Sequence, residues 1–262
     1  MTRINFSLFF FLFPLLVFAQ SRNDIFFNFE YCLGSSKMGI MNDILADTSY
    51  FNSSKYESTP TNTLSNTQGF AFEVGFQPFR FQDFSFGINY SFCDIQCTPF
   101  RYDDDPLNPG AYVKSYGVYQ MKLSRLNISL NSQTHFDALL HFKQKTSPFI
   151  QRLKLASAYQ IGLGKSFLTQ EEYFQEPIPI YLPLRGSALN LNGQVACLIG
   201  YRLNEEAIVS SIQLKVGYNF NFSKDLKDAA DNALLYYQDL KSVPTKLDFS
   251  GLYFGLQLTL RK

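Results

Sequence analysis

The sequence predicts an all-β protein, a single eight-stranded antiparallel up-and-down transmembrane β-barrel with long extracellular loops and short periplasmic turns. Three observations lead there. Eight segments alternate apolar and polar residues with period two, and no charge falls in the apolar phase of any of them. The links between these segments alternate between short and long. The apolar phase is rich in aromatics, drawn from 28 Phe and 16 Tyr in a chain without Trp, as expected of a lipid-facing wall with aromatic girdles.

Taken in order, the first strand sets Ile25, Phe27, Phe29, Tyr31 and Leu33 against Asn28, Glu30 and Cys32. The second sets Phe70, Phe72, Val74 and Phe76 against Glu73, Gly75 and Gln77, and the third Phe84, Phe86, Ile88, Tyr90 and Phe92 against Ser85, Gly87, Asn89 and Ser91. A long fourth strand runs from Arg125 to Phe142. Its apolar phase holds Leu126, Ile128, Leu130, Phe136, Ala138 and Leu140, and its polar phase holds Asn127, Ser129, His135, Asp137 and His141. In the fifth, Leu153, Leu155, Tyr159, Ile161 and Leu163 oppose Lys154, Gln160 and Gly162. The sixth carries Leu189, Leu191, Val195, Cys197, Ile199 and Tyr201 opposite Asn190, Asn192, Gln194 and Arg202. The seventh, "SIQLKVGYNFNF", places Lys215 in a polar phase with Gln213, Asn219 and Asn221. The eighth, "GLYFGLQLTLRK", carries Leu252, Phe254, Leu256, Leu258 and Leu260 in its apolar phase.

Short links fall at 78–83, 144–148 and 204–206, and long ones at 35–68, 94–120, 166–187 and 223–248. With strands running up and down, all short turns lie at one end and all long loops at the other, the organisation of a transmembrane barrel. A soluble barrel would turn the apolar phase inward. The loop asymmetry and the Phe and Tyr content favour the inverted arrangement, with Lys215 pointing into the lumen.

A barrel of this size leaves an interior that side chains fill. Charges placed there need partners, because an unpaired buried charge costs several kcal/mol. Glu30, Glu73 and Asp137 are available to Arg125, Lys154, Arg202 and Lys215, which predicts an interior polar network in place of an open pore.

The opening residues, "MTRINFSLFFFLFPLLVFAQ", have the layout of a secretory signal peptide: a basic start, an apolar run too short to span a membrane as a helix, and small residues at a Val17-Phe18-Ala19 cut. The expected organisation is a signal peptide over 1–19 and one barrel domain over 20–262, placed in the outer membrane of a Gram-negative bacterium after cleavage. Of the 23 bases only Arg3 falls in the leader, so the mature chain is close to neutral against 22 acids. That balance gives no basis for a nucleic-acid partner. Outer-membrane lipid is the expected surrounding, with other envelope or secretion proteins as partners.

Candidate sites are few. His135 and His141 lie six residues apart, about 20 Å along a strand, so they do not share one catalytic centre, and general acid–base work needs groups within reach of one substrate atom. No catalytic residue, cofactor site or metal site is expected. Of the four cysteines, Cys197 falls in the lipid phase. Cys32, Cys93 and Cys97 lie near one end of the barrel, where either free thiols or one loop-anchoring bridge fits an exported chain. In the fourth long loop, Leu226, Ala230, Leu234, Tyr237 and Leu240 recur at helical spacing. An amphipathic helix over the mouth is the plain expectation, and a docking surface formed by Leu226, Leu234, Tyr237 and Leu240 is the sharper one. The run Asp103 to Pro106 reads as a solvated acidic stretch.

The "FAQ" end of the leader, the Phe- and Tyr-rich strands and the "GLYFGLQLTL" finish together resemble the small outer-membrane β-barrel proteins of Bacteroidota type, including the PorT-like family. The last strand also resembles the terminal targeting strand of bacterial outer-membrane proteins, with Tyr253, Gly255, Leu258 and Leu260 in matching places, although Arg261 and Lys262 replace the usual terminal aromatic. The resemblance implies a barrel of about eight strands and, in some members, service in protein secretion. Two functions follow as expectations: a non-enzymatic barrel with a structural or partner-binding role in a secretion or envelope-assembly complex, and a surface-binding or adhesion barrel working through its long loops. A lipid-modifying enzyme is the least favoured.

Overall fold

A computed structural model describes residues 25–38, 66–97, 100–105, 107–140, 147–174, 180–203, 208–238 and 241–261. The strands are β1 (Ile25–Ser35), β2 (Asn66–Phe79), β3 (Gln82–Cys97), β4 (Phe100–Asp104), β5 (Tyr112–His135), β6 (Leu153–Phe174), β7 (Ile180–Arg202), β8 (Val209–Ser223), β9 (Leu235–Gln238), β10 (Lys241–Pro244) and β11 (Gly251–Arg261). Eight of them close into an antiparallel up-and-down barrel in the order β1, β2, β3, β5, β6, β7, β8, β11. The seam is β1 against β11, in register from Phe26 opposite Arg261 to Gly34 opposite Tyr253. Closure leaves no free strand edge in the apolar zone, the condition for a sheet to cross a bilayer.

The apolar phase faces outward, as the alternation requires of a transmembrane barrel. One row around the wall runs Ile88, Ile128, Leu163, Leu191 and Phe222, each paired with the next across the sheet. All five are exposed, Leu163 and Phe222 at 67%. Inside, the polar phase is buried: Asn127 is fully enclosed, and Glu30, Lys154 and Lys215 are 4 to 5% exposed. A soluble protein could not expose such a band; in lipid it is the stabilising surface.

Several strands are much longer than the sequence pattern suggests. β5, β6 and β7 have 24, 22 and 23 residues, where about 9–11 residues cross a bilayer. The segments 94–120 and 166–187, expected as long loops, are therefore mostly strand. β5 continues upward to pair with β3 as far as Cys97 and then with β4, while β6 and β7 pair without interruption from Leu153 opposite Tyr201 to Phe174 opposite Ile180.

The reason is visible in the side chains: along each long strand the two faces exchange character. In β3 the inward residues pass from Asn89 and Ser91 to Cys93 and Ile95, and the outward ones from Ile88 and Tyr90 to Asp94 and Gln96. In β5 the inward Arg125 gives way to Leu123 and Met121, both fully buried, and the outward Leu126 to Lys122. An outward polar row, Asp94, Lys122, Thr169 and Arg185, crosses four paired strands just above the apolar band. Below this row the chain is built for lipid, and above it for water.

At the turn end, Phe79 pairs with Gln82 to make the expected tight link. The fourth expected strand ends early. β5 stops at His135, and Phe136–Leu139 form a one-turn helix, α1, followed by α2 at Pro148–Arg152. Phe136, Ala138 and Leu140 thus leave the strand, and the connection expected at 144–148 begins at Phe136. His141 lies outside the described residues, as do 1–24, which include the expected signal peptide.

Candidate functional site

The lumen is filled in three levels. At the turn end, Asp83 of β3 is the hub. Its Oδ2 lies 2.8 Å from His135 Nε2 and accepts from Arg261 Nη2 at 3.4 Å. Asp137, on α1, lies 3.8 Å from Arg202 Nη2 and accepts from the Leu155 N–H at 3.3 Å. Lys154 donates to Ser211 Oγ at 3.3 Å. The Arg261 that stands in place of a terminal aromatic is thus used internally, and its guanidinium also sits 5.7 Å from the centre of the Phe26 ring.

At mid-height, Lys215 Nζ donates to Glu30 Oε2 at 2.8 Å, with the two side chains 4 and 5% exposed. Glu73 Oε2 accepts from Asn28 Nδ2 at 3.0 Å and Ser85 Oγ at 2.9 Å. Gln257 donates to Gln213 across the β8–β11 pair at 3.4 Å. Higher still, Arg125 donates to Ser91 Oγ and Asn221 Oδ1 and lies 5.1 Å from the centre of the Phe249 ring. Its counterpart is a neutral hydrogen-bonding set and an aromatic face, where the sequence suggested a carboxylate.

The structure places all seven expected residues on the inner side of the wall or at its rim, in separate hydrogen-bonded groups. Glu30, Glu73, Arg125, Asp137, Lys154 and Lys215 are buried and Arg202 is half-buried. The pairings differ: Glu30 takes Lys215, Asp137 takes Arg202, and Arg125 and Lys154 bond to hydroxyls and amides. Asp83 and Arg261 are additional members that the expected network did not include, although Arg261 falls in the polar phase of the last strand. Asp83 sits at the strand start where the link was expected, and only closure of β11 on β1 brings Arg261 to it. Packing leaves a space of about 10 Å³ among Phe26, Asp83, Gln133, Lys215 and Gln257, no more than one water occupies.

Above Arg125 the lumen ends in an apolar plug. Cys93, Ile95, Met121, Leu123, Leu168 and Ala188 from the wall meet Met38, Leu226, Leu247 and Phe249 from the connections, all buried. The strap from Lys224 to Ser250 crosses the mouth. It is tied to β7 by Ser187 and Lys227, which exchange backbone bonds of 2.8 and 3.0 Å, and to itself by the Leu226 N–H on the Thr245 carbonyl and the Leu234 N–H on that of Leu226.

This corrects the expected mouth helix. Residues 226–240 contain no helix where described; they form a turn at 228–232 and the first half of the β9–β10 hairpin. Leu226 is fully buried and Leu234 packs against the same cluster, so neither offers a docking face. Tyr237 lies in β9, and Leu240 is outside the described residues. The strap instead drops Leu226, Leu247 and Phe249 into the barrel.

Cys32, Cys93 and Cys197 are free thiols, Cys197 on the outer wall as its phase implied. Cys97 ends β3. Asp103 and Asp104 fall in β4, while Asp105 is turned to its own loop: the Asn108 side-chain amide and the Leu107 N–H hold its carboxyl below the ordinary range. Among the described residues, no group of three or more His, Cys, Asp or Glu is arranged to hold a metal ion.

No protein-family model and no curated protein matches the chain. One solved barrel of similar layout is Neisserial surface protein A, NspA, at 7% identity over 91% of this chain and 97% of that one, TM-score 0.39. Another is Ail, the attachment invasion locus protein of Yersinia pestis, crystallised with the heparin analogue sucrose octasulfate, at 7% identity over 92% and 99%, TM-score 0.32.

Proposed function

We propose that the chain is a non-enzymatic, non-conducting outer-membrane barrel that binds a protein partner through the strands projecting above the membrane. The observation that carries this reading is the tip of the projection. Tyr112 and Val113 open β5 about ten residues beyond Lys122, roughly 30 Å further along the strand, and remain 71% and 45% exposed, with Leu107 beside them at 86%. Below the polar row an exposed apolar residue meets lipid. Above it, a group of them at the end of the β4–β5 pair meets water, and such groups commonly mark a protein contact.

The plugged mouth and filled lumen support the non-conducting part. The PorT-like resemblance supports a partner within a secretion or envelope-assembly complex. The alternative, a partner outside the cell, uses the same tip. A photo-crosslinking residue placed at Tyr112 or Val113 in the native outer membrane tests the proposal, with Ile128 as the lipid-facing control. Discrete protein adducts from the tip and none from Ile128 are expected, and their identity separates envelope from external partners. Adducts absent from both tip positions would overturn the reading, as would porin-level conductance in a planar bilayer.

A further inference from the structure

The outward row at the upper edge of the apolar band holds Tyr90, Leu126, Lys165 and Leu189, each paired with the next. Lys224 extends that row, its N–H donating to the Leu189 carbonyl at 3.0 Å. Two exposed lysines therefore flank Leu189, itself 61% exposed, two outward positions below the polar row at which the wall changes from lipid-facing to water-facing. Lys165 Nζ lies 5.7 Å from the centre of the Phe167 ring, one outward position higher. Its ammonium has turned up and out of the band, as a lysine does at a bilayer interface.

Lys165 and Lys224 line a cleft of about 980 Å³ under the strap, together with Ser187, Asp225, Lys227 and Lys246. The acids there are engaged within the protein. Asp225 is 3.4 Å from Lys246, and both Asp231 oxygens accept from Lys227 at 2.9 Å. Asp228 accepts from the Asn232 and Ala230 N–H groups of its own turn, which hold its carboxyl below the ordinary range. Among the described residues, Lys165 and Lys224 have no carboxylate within salt-bridge distance.

Two cations without carboxylate partners among the described residues, separated by an exposed leucine and standing on an apolar wall, match a molecule with anionic groups above and hydrocarbon below. A soluble anion would leave Leu189 and the wall beneath it unused, whereas a leaflet delivers both parts at this depth. We propose that Lys165 and Lys224 form a binding site for the phosphate groups of a phosphorylated outer-leaflet lipid, whose acyl chains lie along Leu163, Leu189 and Leu191. The site is on the wall just below the waterline, apart from the Tyr112 tip, and stands independently of the partner assigned to that tip.

The test is a native mass-spectrometry titration of the full-length protein in detergent with bis-phosphorylated lipid A, the barrel being verified in each variant by its heat-dependent gel mobility. The wild type is expected to bind one lipid. Lys165→Ala with Lys224→Ala should weaken binding roughly thirtyfold, at about 1 kcal/mol per lysine near an anionic lipid surface and about 1.4 kcal/mol per tenfold. Lys165→Arg with Lys224→Arg keeps both charges at the interface and should retain binding, and fully dephosphorylated lipid A should bind roughly thirtyfold more weakly, like the double alanine variant. Binding by the double alanine variant within about threefold of wild type overturns the proposal. Equal binding of the dephosphorylated lipid, loss of binding in the folded double arginine variant, or displacement of the lipid by millimolar inorganic phosphate does the same.

Discussion

Replacing Lys215 alone with Met should destabilise the barrel far more than replacing Lys215 and Glu30 together. The ion pair is 2.8 Å long with side chains 4 and 5% exposed. At an effective dielectric of about 20, charges that close attract by about 6 kcal/mol, and withdrawing both from water offsets most of that gain. The pair as a whole is thus close to neutral relative to well-packed uncharged side chains. Lys215→Met breaks this balance by leaving the Glu30 carboxylate buried, and within the lumen no second cation among the described residues is placed to take it: Arg125 bonds to Ser91 and Asn221, and Lys154 to Ser211. The expected loss is about 3–5 kcal/mol. Adding Glu30→Gln should recover most of it, since a neutral amide beside the introduced thioether carries no stranded charge. Reversible urea unfolding in micelles, followed by far-UV circular dichroism and by gel mobility, gives the comparison. A Lys215→Met barrel within about 1 kcal/mol of wild type, or a double variant no better than the single, would refute the account of the lumen as a set of mutually dependent charges.

Three further outcomes check other parts of the structure. Ile128→Arg, in the middle of the outward apolar row, should cost about 2–4 kcal/mol in lipid, while Val118→Arg, on the same face of the same strand but above Lys122, should change stability by no more than about 0.5 kcal/mol; equal effects in the same unfolding assay would misplace the waterline. Leu226→Ala removes a fully buried side chain from the plug and should cost about 2–5 kcal/mol locally, seen as protease cleavage between Lys224 and Ser250 with the heat-modifiable barrel intact; cleavage no faster than in wild type would mean the strap is held by other contacts. Thiol titration of the unreduced, denatured protein should count at least three free thiols, from Cys32, Cys93 and Cys197, and a lower count would reveal a bridge that takes up at least one of them.

The lipid-crossing part of the fold is legible in the sequence because a two-sided strand imposes a strict period of two, and the residues from Phe84 to Phe92 or from Ile212 to Phe222 keep it without a break. The lumen members are legible for the same reason, since a charge in the polar phase of a transmembrane strand has only the interior to enter. Their partners are not. Pairing depends on which strands become neighbours and on their stagger, and Glu30 meets Lys215 only because β11 lies between β1 and β8 and carries Gly255 between them. A Cβ added at Gly255 would collide with Glu30 Oε1, so glycine there is part of the pairing.

The projecting strands and the plug escape the sequence pattern through one inference: that a stretch whose outward residues turn polar must be a loop. In β3 the sequence Asn89, Ser91, Cys93, Ile95 keeps a period of two while its character changes from polar to apolar, and Tyr90, Phe92, Asp94, Gln96 change the other way. Leu123 and Met121 exchange with Lys122 in the same manner. A loop would lose the period; these segments keep it and reverse its sign. The reversal is what a strand must do on leaving lipid for water, because the outer face then needs polar groups and the inner face, now enclosing loops instead of a charged network, needs apolar ones. The apolar residues of 224–250 follow from the same requirement. Once the upper wall turns Ile95, Leu123 and Leu168 inward, something apolar has to cover them, and the strap is the segment that supplies Leu226, Leu247 and Phe249. Of the residues at helical spacing in that segment, Leu226 and Leu234 join the plug while Ala230 stays exposed, and part of the deciding signal lies in β3 and β5, far earlier in the chain.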